Sequence, residues 1–175
     1  MKIKAAQRLI QFDPSVNTIY CDLDGVLADF EAGVLKYARL DAATCDPKLM
    51  WARLQKIPKF YQLLKPMPHA GDLWRVIKST RCKRAILTAL PLKSTMPEAE
   101  QDKRIWCADR LGPKEVVKVG PYSKDKWKHC NPGDLLIDDS EDNIDDWTRK
   151  GKGIGIYHTD VESTIEQLFS LTRGA

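Results

Sequence analysis

The chain has 175 residues, a formal net charge of +4 and a hydrophobic fraction of 43%. That mix excludes wholesale disorder and leaves room for one domain with a small insertion, read as 1–175. No apolar run approaches the ~18 residues of a membrane helix, and the mild basicity fits a small anion better than a nucleic-acid polymer.

Five short apolar or β-branched runs read in order as buried strands: Thr18–Cys21, Arg84–Leu87, Glu115–Val119, Leu135–Ile137 and Gly153–Tyr157. Helical patterns lie between and after them, at about 28–43, 70–80, 98–111, 124–130, 141–150 and 160–171. Strands alternating with helices predict a parallel sheet covered on both faces, a three-layer α/β sandwich with a Rossmann-type core. One stretch breaks the rhythm. Residues 44–68 carry Pro58, Pro66 and Pro68 but no strand signal, which predicts a small helical cap over one edge of the sheet. The core is then expected at about 14–30 and 69–175, with the cap at about 31–68. Met1-Lys2-Ile3-Lys4 leads into mixed polar sequence rather than an apolar leader, and the five cysteines form no Cys-x-x-Cys. A cytoplasmic setting with reduced thiols is the expectation.

Parallel sheets bind ligands at the carboxyl ends of their strands. Asp22 and Asp24 follow the first predicted strand, Thr88 and Ala89 the second, and Asp138 and Asp139 the fourth. Lys124, Lys126 and Lys128 follow the third. With 17 aspartates in the chain, about 1.6 Asp-x-Asp pairs arise by chance, so position carries the information rather than the pairs themselves. Asp145-Asp146, on a predicted helix, shows what an uninformative pair looks like. Two carboxylates ~4 Å apart repel by ~4 kcal/mol at an effective dielectric near 20, so gathering several requires a cation or protons. A hard, oxygen-liganded ion such as Mg2+ suits that cluster beside phosphates. A carboxylate nucleophile, a second carboxylate two residues on, a lysine, and a threonine with adjacent backbone N–H groups together outline a phosphoryl-transfer site.

Asp22-Leu23-Asp24-Gly25-Val26, Thr88, Lys126 and Leu136-Ile137-Asp138-Asp139 resemble the four ordered motifs of the haloacid dehalogenase superfamily. The resemblance is closer to its 5'(3')-deoxyribonucleotidase family, whose first motif similarly continues into Val-Leu-Ala-Asp-Phe, and it spans about residues 17–158. It implies Asp22 as a nucleophile forming an aspartyl-phosphate and Asp24 as general acid/base. It implies Mg2+ held by Asp22, the main-chain carbonyl of Asp24 and Asp139, with Asp138 close by, and the phosphoryl group held by Thr88, Ala89 and Lys126. Two residues more than the pattern leads one to expect separate Lys126 from Asp138, which leaves Lys124 a rival.

Phe30 lies eight residues after Asp22, where the nucleotidase family places a ring on the base. Trp51, Phe60 and Tyr61 either line the same pocket or form the cap's own core. Trp74, Trp106, Trp127 and Trp147 read as packing residues. The substrate implied is a nucleoside monophosphate, most economically a deoxynucleotide, and another small phosphorylated metabolite is the rival within the class. A phospho-accepting receiver module is the rival outside it, but its acidic pair would precede the accepting aspartate rather than follow the lysine.

Overall fold

The computed structural model describes residues 16–80, 82–120 and 122–171. Met1–Lys4 and the expected start of the core near residue 14 lie outside the described residues. Five strands, β1 (Thr18–Cys21), β2 (Lys83–Ala89), β3 (Val117–Gly120), β4 (Leu135–Asp138) and β5 (Ile154–Tyr157), form one sheet in the order β3-β2-β1-β4-β5. Every pairing is parallel, with Tyr20 of the central strand beside Ala85 on one side and Leu136 on the other.

Side chains alternate between the two faces, and the alternation explains the layers. Ile19, Cys21, Ile86, Leu135, Ile137 and Ile156 share a large buried cluster with α3 (Ala70–Ser79), α4 (Ala99–Arg110) and α6 (Val161–Ser170). Tyr20, Ala85, Leu87 and Leu136 face the other way, against Trp147 of α5 (Glu141–Arg149). The Trp147 indole meets Tyr20 edge-on at 5.3 Å and donates to the Asp134 carbonyl, so its polar edge is satisfied in the core.

The predicted helix at 28–43 is shorter and broken. It consists of α1 (Phe30–Gly33), capped by the Asp29 carboxylate, running into a π-helical turn over Val34–Ala38. Arg39 ends it in the left-handed region at φ 54°. Ala28 instead makes isolated bridges to Asp24 and Pro66, tying the loop after β1 to the chain returning from the insert. Within the insert, α2 (Pro47–Leu54) starts at an Asp46 cap with proline in its first turn, and a 3-10 turn spans Phe60–Leu63. Val34, Met50, Leu54, Phe60 and Leu64 belong to the same buried cluster as the sheet.

Two further boundaries differ. The expected strand at Glu115–Val119 is Val117–Gly120. The pattern at 124–130 is a 3-10 helix over Ser123–His129.

Candidate active site

The order of the strands decides what meets. β1 lies between β2 and β4, so residues following these three strands converge at one sheet edge. Asp22 continues the β1 ladder, its N–H donating to the Ile137 carbonyl at 2.9 Å. Its carboxylate Oδ1 accepts from the Leu23 N–H at 2.7 Å, and Oδ2 lies 2.8 Å from the Lys126 ammonium. Gly25 then turns the chain at φ 81°, and a Cβ there would overlap the Asp139 carboxylate. Glycine is needed twice over, for the backbone angle and for the close approach.

Lys126 is 2% exposed and lies between Asp22 and Asp138, at 2.8 and 2.6 Å. Burial alone would lower its pKa, but the two carboxylates more than offset this and hold it above the ordinary lysine value. Lys124 is not at the cluster: its ammonium lies 5.8 Å from the Tyr122 ring, while exposed Lys128 pairs with Asp125. Of the two rivals, Lys126 is the one whose ammonium meets Asp22 and Asp138.

Asp138 is wholly buried. Its Oδ2 faces Lys126, and its Oδ1 accepts from the Ser140 N–H at 3.0 Å and the Asn143 amide at 2.9 Å. Burial and the Asp22 charge push its pKa to about 6 despite Lys126. Asp139 is the most open member, pushed to about 7 by loss of water around its carboxyl group and by the charges of Asp22 and Asp138. Carboxylate oxygens of Asp22, Asp138 and Asp139 lie within 4.8 Å of one another. Hard oxygen donors this close, two of them with affinity for protons raised by crowding, fit a divalent cation such as Mg2+.

Asp24 points elsewhere. Its Oδ2 accepts from the Lys103 ammonium at 2.6 Å, while Oδ1 is buried without a hydrogen-bond partner among the described residues. Burial raises its pKa, Lys103 opposes this and Asp22 reinforces it. Thr88 is fully buried, its hydroxyl accepting from Lys103 at 2.9 Å, and the Ala89 carbonyl accepts from the same ammonium at 2.7 Å.

The fold has known relatives. A haloacid dehalogenase-superfamily hydrolase of subfamily IA from Geobacter sulfurreducens superposes with a TM-score of 0.53 at 13% identity, covering 88% of this chain and 97% of that one. The haloacid dehalogenase-like protein SP0104 from Streptococcus pneumoniae gives 0.52 at 14% identity, covering 87% and 90%. This is the haloacid dehalogenase fold. By sequence, the chain resembles the cytosolic-type 5'(3')-deoxyribonucleotidase of Homo sapiens, 29% identical over 145 residues and 70% of each chain. No family model matches.

Within this haloacid dehalogenase fold, the expected aromatics divide. Phe30 and Trp51 are half-buried, with ring centroids 6.1 Å apart. Phe60 and Tyr61, at 0% and 2% exposure, are closed into the cap's interior with Phe30 packed on both. Phe60 and Tyr61 are thus packed in the buried core, while Phe30 and Trp51 keep some exposed surface.

Two site residues escaped the sequence reading. Lys103, 1% exposed, gathers Asp24, Thr88 and Ala89 around one ammonium. A signal was available, because the buried face of α4 runs Ala99, Asp102, Lys103, Trp106, Cys107, and a lysine at a core position needs a partner. Asn143 joins Asp138 to Ser123, which opens the helix carrying Lys126.

A cavity of about 530 Å³ opens at the opposite ends of the strands, between Thr18, Arg84 and Lys118. Its acid, Glu115, is already paired with Arg84 and Lys78, and the cavity lies away from the Asp22, Asp138 and Asp139 cluster.

Proposed function

We propose that this chain is a Mg2+-dependent phosphomonoesterase whose substrate is a nucleoside monophosphate, with a deoxynucleotide as the favoured form. The observation that carries this reading is Lys126, buried between Asp22 and Asp138, with Asp139 within 4.8 Å and Asp24 two residues on in a separate, lysine-bonded environment. Asp22 lies 2.8 Å from the Lys126 ammonium, while burial pushes the Asp24 carboxyl group toward its protonated form, and the two settings suit a nucleophile and an acid.

Asp22 attacks phosphorus and the ester oxygen leaves, taking a proton from the Asp24 carboxyl group. Water then attacks the aspartyl-phosphate, giving its proton back to Asp24 and releasing phosphate. Lys126 offsets charge on the transferring group, with Thr88 and the Ala89 backbone beside it. Asp22, Asp139 and the Asp24 carbonyl would hold Mg2+, with Asp138 directing Lys126. When bound, Mg2+ neutralises charge developing on the phosphoryl oxygens. Phe30 and Trp51 offer partly open rings for a base, and the similarity to the deoxyribonucleotidase supports the nucleotide assignment. That relative's cytosolic type also supports a cytoplasmic setting.

Phosphate release from a panel of nucleoside monophosphates, deoxynucleotides and sugar phosphates, with Mg2+ or with excess chelator, tests the reading. Nucleotides should be turned over at higher kcat/KM than sugar phosphates, and chelation should abolish release. Equal efficiencies would move the assignment to another small phosphorylated metabolite. A single stoichiometric phosphorylation without turnover would point to a receiver-like module.

A further inference from the structure

Tyr61 comes from the insert, yet its ring meets a charge held in the core. The Lys103 ammonium lies 4.5 Å from the centre of the Tyr61 ring, and both side chains are almost completely buried. An ammonium has three N–H donors, and here they meet Asp24 Oδ2, Thr88 Oγ1 and the Ala89 carbonyl at 2.6, 2.9 and 2.7 Å. The aromatic face covers a further side of the charge, where a cation–π contact is strongest because water is excluded.

The ring is itself held in place. On one side, Gln62 Nε2 donates to Asp102 Oδ1 at 2.7 Å; on the other, Trp106 Nε1 donates to the Leu64 carbonyl at 2.9 Å. Both partners lie on α4, one residue before Lys103 and three after it. Phe30 stacks against the Tyr61 ring, with centroids 6.3 Å apart and planes at 25°. A continuous line of contacts therefore runs from Phe30 through Tyr61 and Lys103 to Asp24.

We propose that Tyr61 is a positioning residue: its ring face holds the Lys103 ammonium on Asp24 and Thr88, so that protonation of the leaving group depends on the cap being docked. The link to protonation rests on the phosphomonoesterase reading; the hold on Lys103 does not. The ring face does this, not the hydroxyl. Tyr61→Phe should therefore behave like wild type, and Tyr61→Leu, which keeps apolar bulk but removes the π face, should not.

Two measurements on the full chain decide it. The first is the rate at which Lys103 is acetylated by an amine-reactive reagent, followed by mass spectrometry. The second is kcat/KM with Mg2+ for phenyl phosphate against p-nitrophenyl phosphate, whose better leaving group needs less help from an acid. In Tyr61→Leu, Lys103 should label at least about fivefold faster, and phenyl phosphate hydrolysis should fall about tenfold further than that of the nitrophenyl ester. Tyr61→Phe should stay within about twofold of wild type in both. Equal losses on the two esters, unchanged Lys103 protection in the leucine variant, or a phenylalanine variant as impaired as leucine would each overturn the proposal. If Tyr61→Leu does not fold, Tyr61→Met supplies the same comparison. A wild type inactive on both esters would sink the phosphomonoesterase reading and the link to protonation with it, while the labelling still decides whether Tyr61 holds Lys103.

Discussion

At the scale of single residues, the site is a set of charges that tolerate burial only because each has a named partner. Removing the Lys126 ammonium would leave Asp22 and Asp138 facing each other, so Lys126→Met should lower unfolding free energy by about 3–5 kcal/mol in metal-free buffer. Lys124→Met should stay within about 0.5 kcal/mol, and denaturant midpoints compare the two directly. Asp22→Asn keeps shape and folding but removes the proposed nucleophile, so turnover should fall by at least about a thousandfold. A variant retaining a tenth of wild-type activity would remove Asp22 from that role. Asp22, Asp24, Asp138 and Asp139 were legible in the sequence because each follows or closes an apolar run whose neighbours the parallel pattern predicts. The choice between Lys124 and Lys126 was not, because spacing alone does not reveal that Ser123–His129 winds as a 3-10 helix. Lys103 was hidden for a different reason. Its partners Asp24 and Thr88 are 79 and 15 positions away, beyond any local motif.

At the scale of elements, α4 does more than cover the sheet. Its buried face binds the insert through Asp102 and Trp106 and the catalytic loop through Lys103. Trp106→Phe keeps most of the apolar contact but strands the buried Leu64 carbonyl, which should cost about 1–3 kcal/mol. Just before β3, the Glu115 carboxylate is fixed by Arg84 of β2 at 3.0 Å and by Lys78 of α3 at 3.1 Å. Burial would raise the Glu115 pKa; the hydrogen bonds from Arg84 and Lys78 outweigh it and hold the pKa below the ordinary glutamate range. A depressed folded-state pKa gives stability that is complete above the unfolded value of ~4.3 and lost as pH falls through the folded one. The stability gap between wild type and Glu115→Gln should therefore be flat above about pH 5 and close as acid is added, which urea titrations at stepped pH would measure.

At the scale of the whole molecule, a bound cation should show itself in stability as well as turnover. Mg2+ at about a hundredfold its dissociation constant should add about 2.7 kcal/mol, and Asp139→Asn should remove most of that gain in thermal melts. The parallel sheet and the gathering of strand ends were readable from alternating strands and helices, whereas the order of the strands was not. The insert's attachment was not, since its apolar residues join the main core and no periodicity announces which neighbour an aromatic will choose. The central position of β1 also has a consequence in time. Asn17 donates to the Pro132 carbonyl across 115 positions, and β1 is flanked by β4 along Ile19–Cys21. A ribosome thus delivers the strand leading to Asp22 early and its second neighbour late. Until β4 emerges, one edge of β1 has no partner, and until Lys126 follows β3, Asp22 has no counter-charge. Such distant closure makes for slow folding and an exposed edge in the interim. Chains halted after residue 110 should accordingly lack protected β1 amides in hydrogen exchange, and chains extended past residue 158 should gain them together with β4.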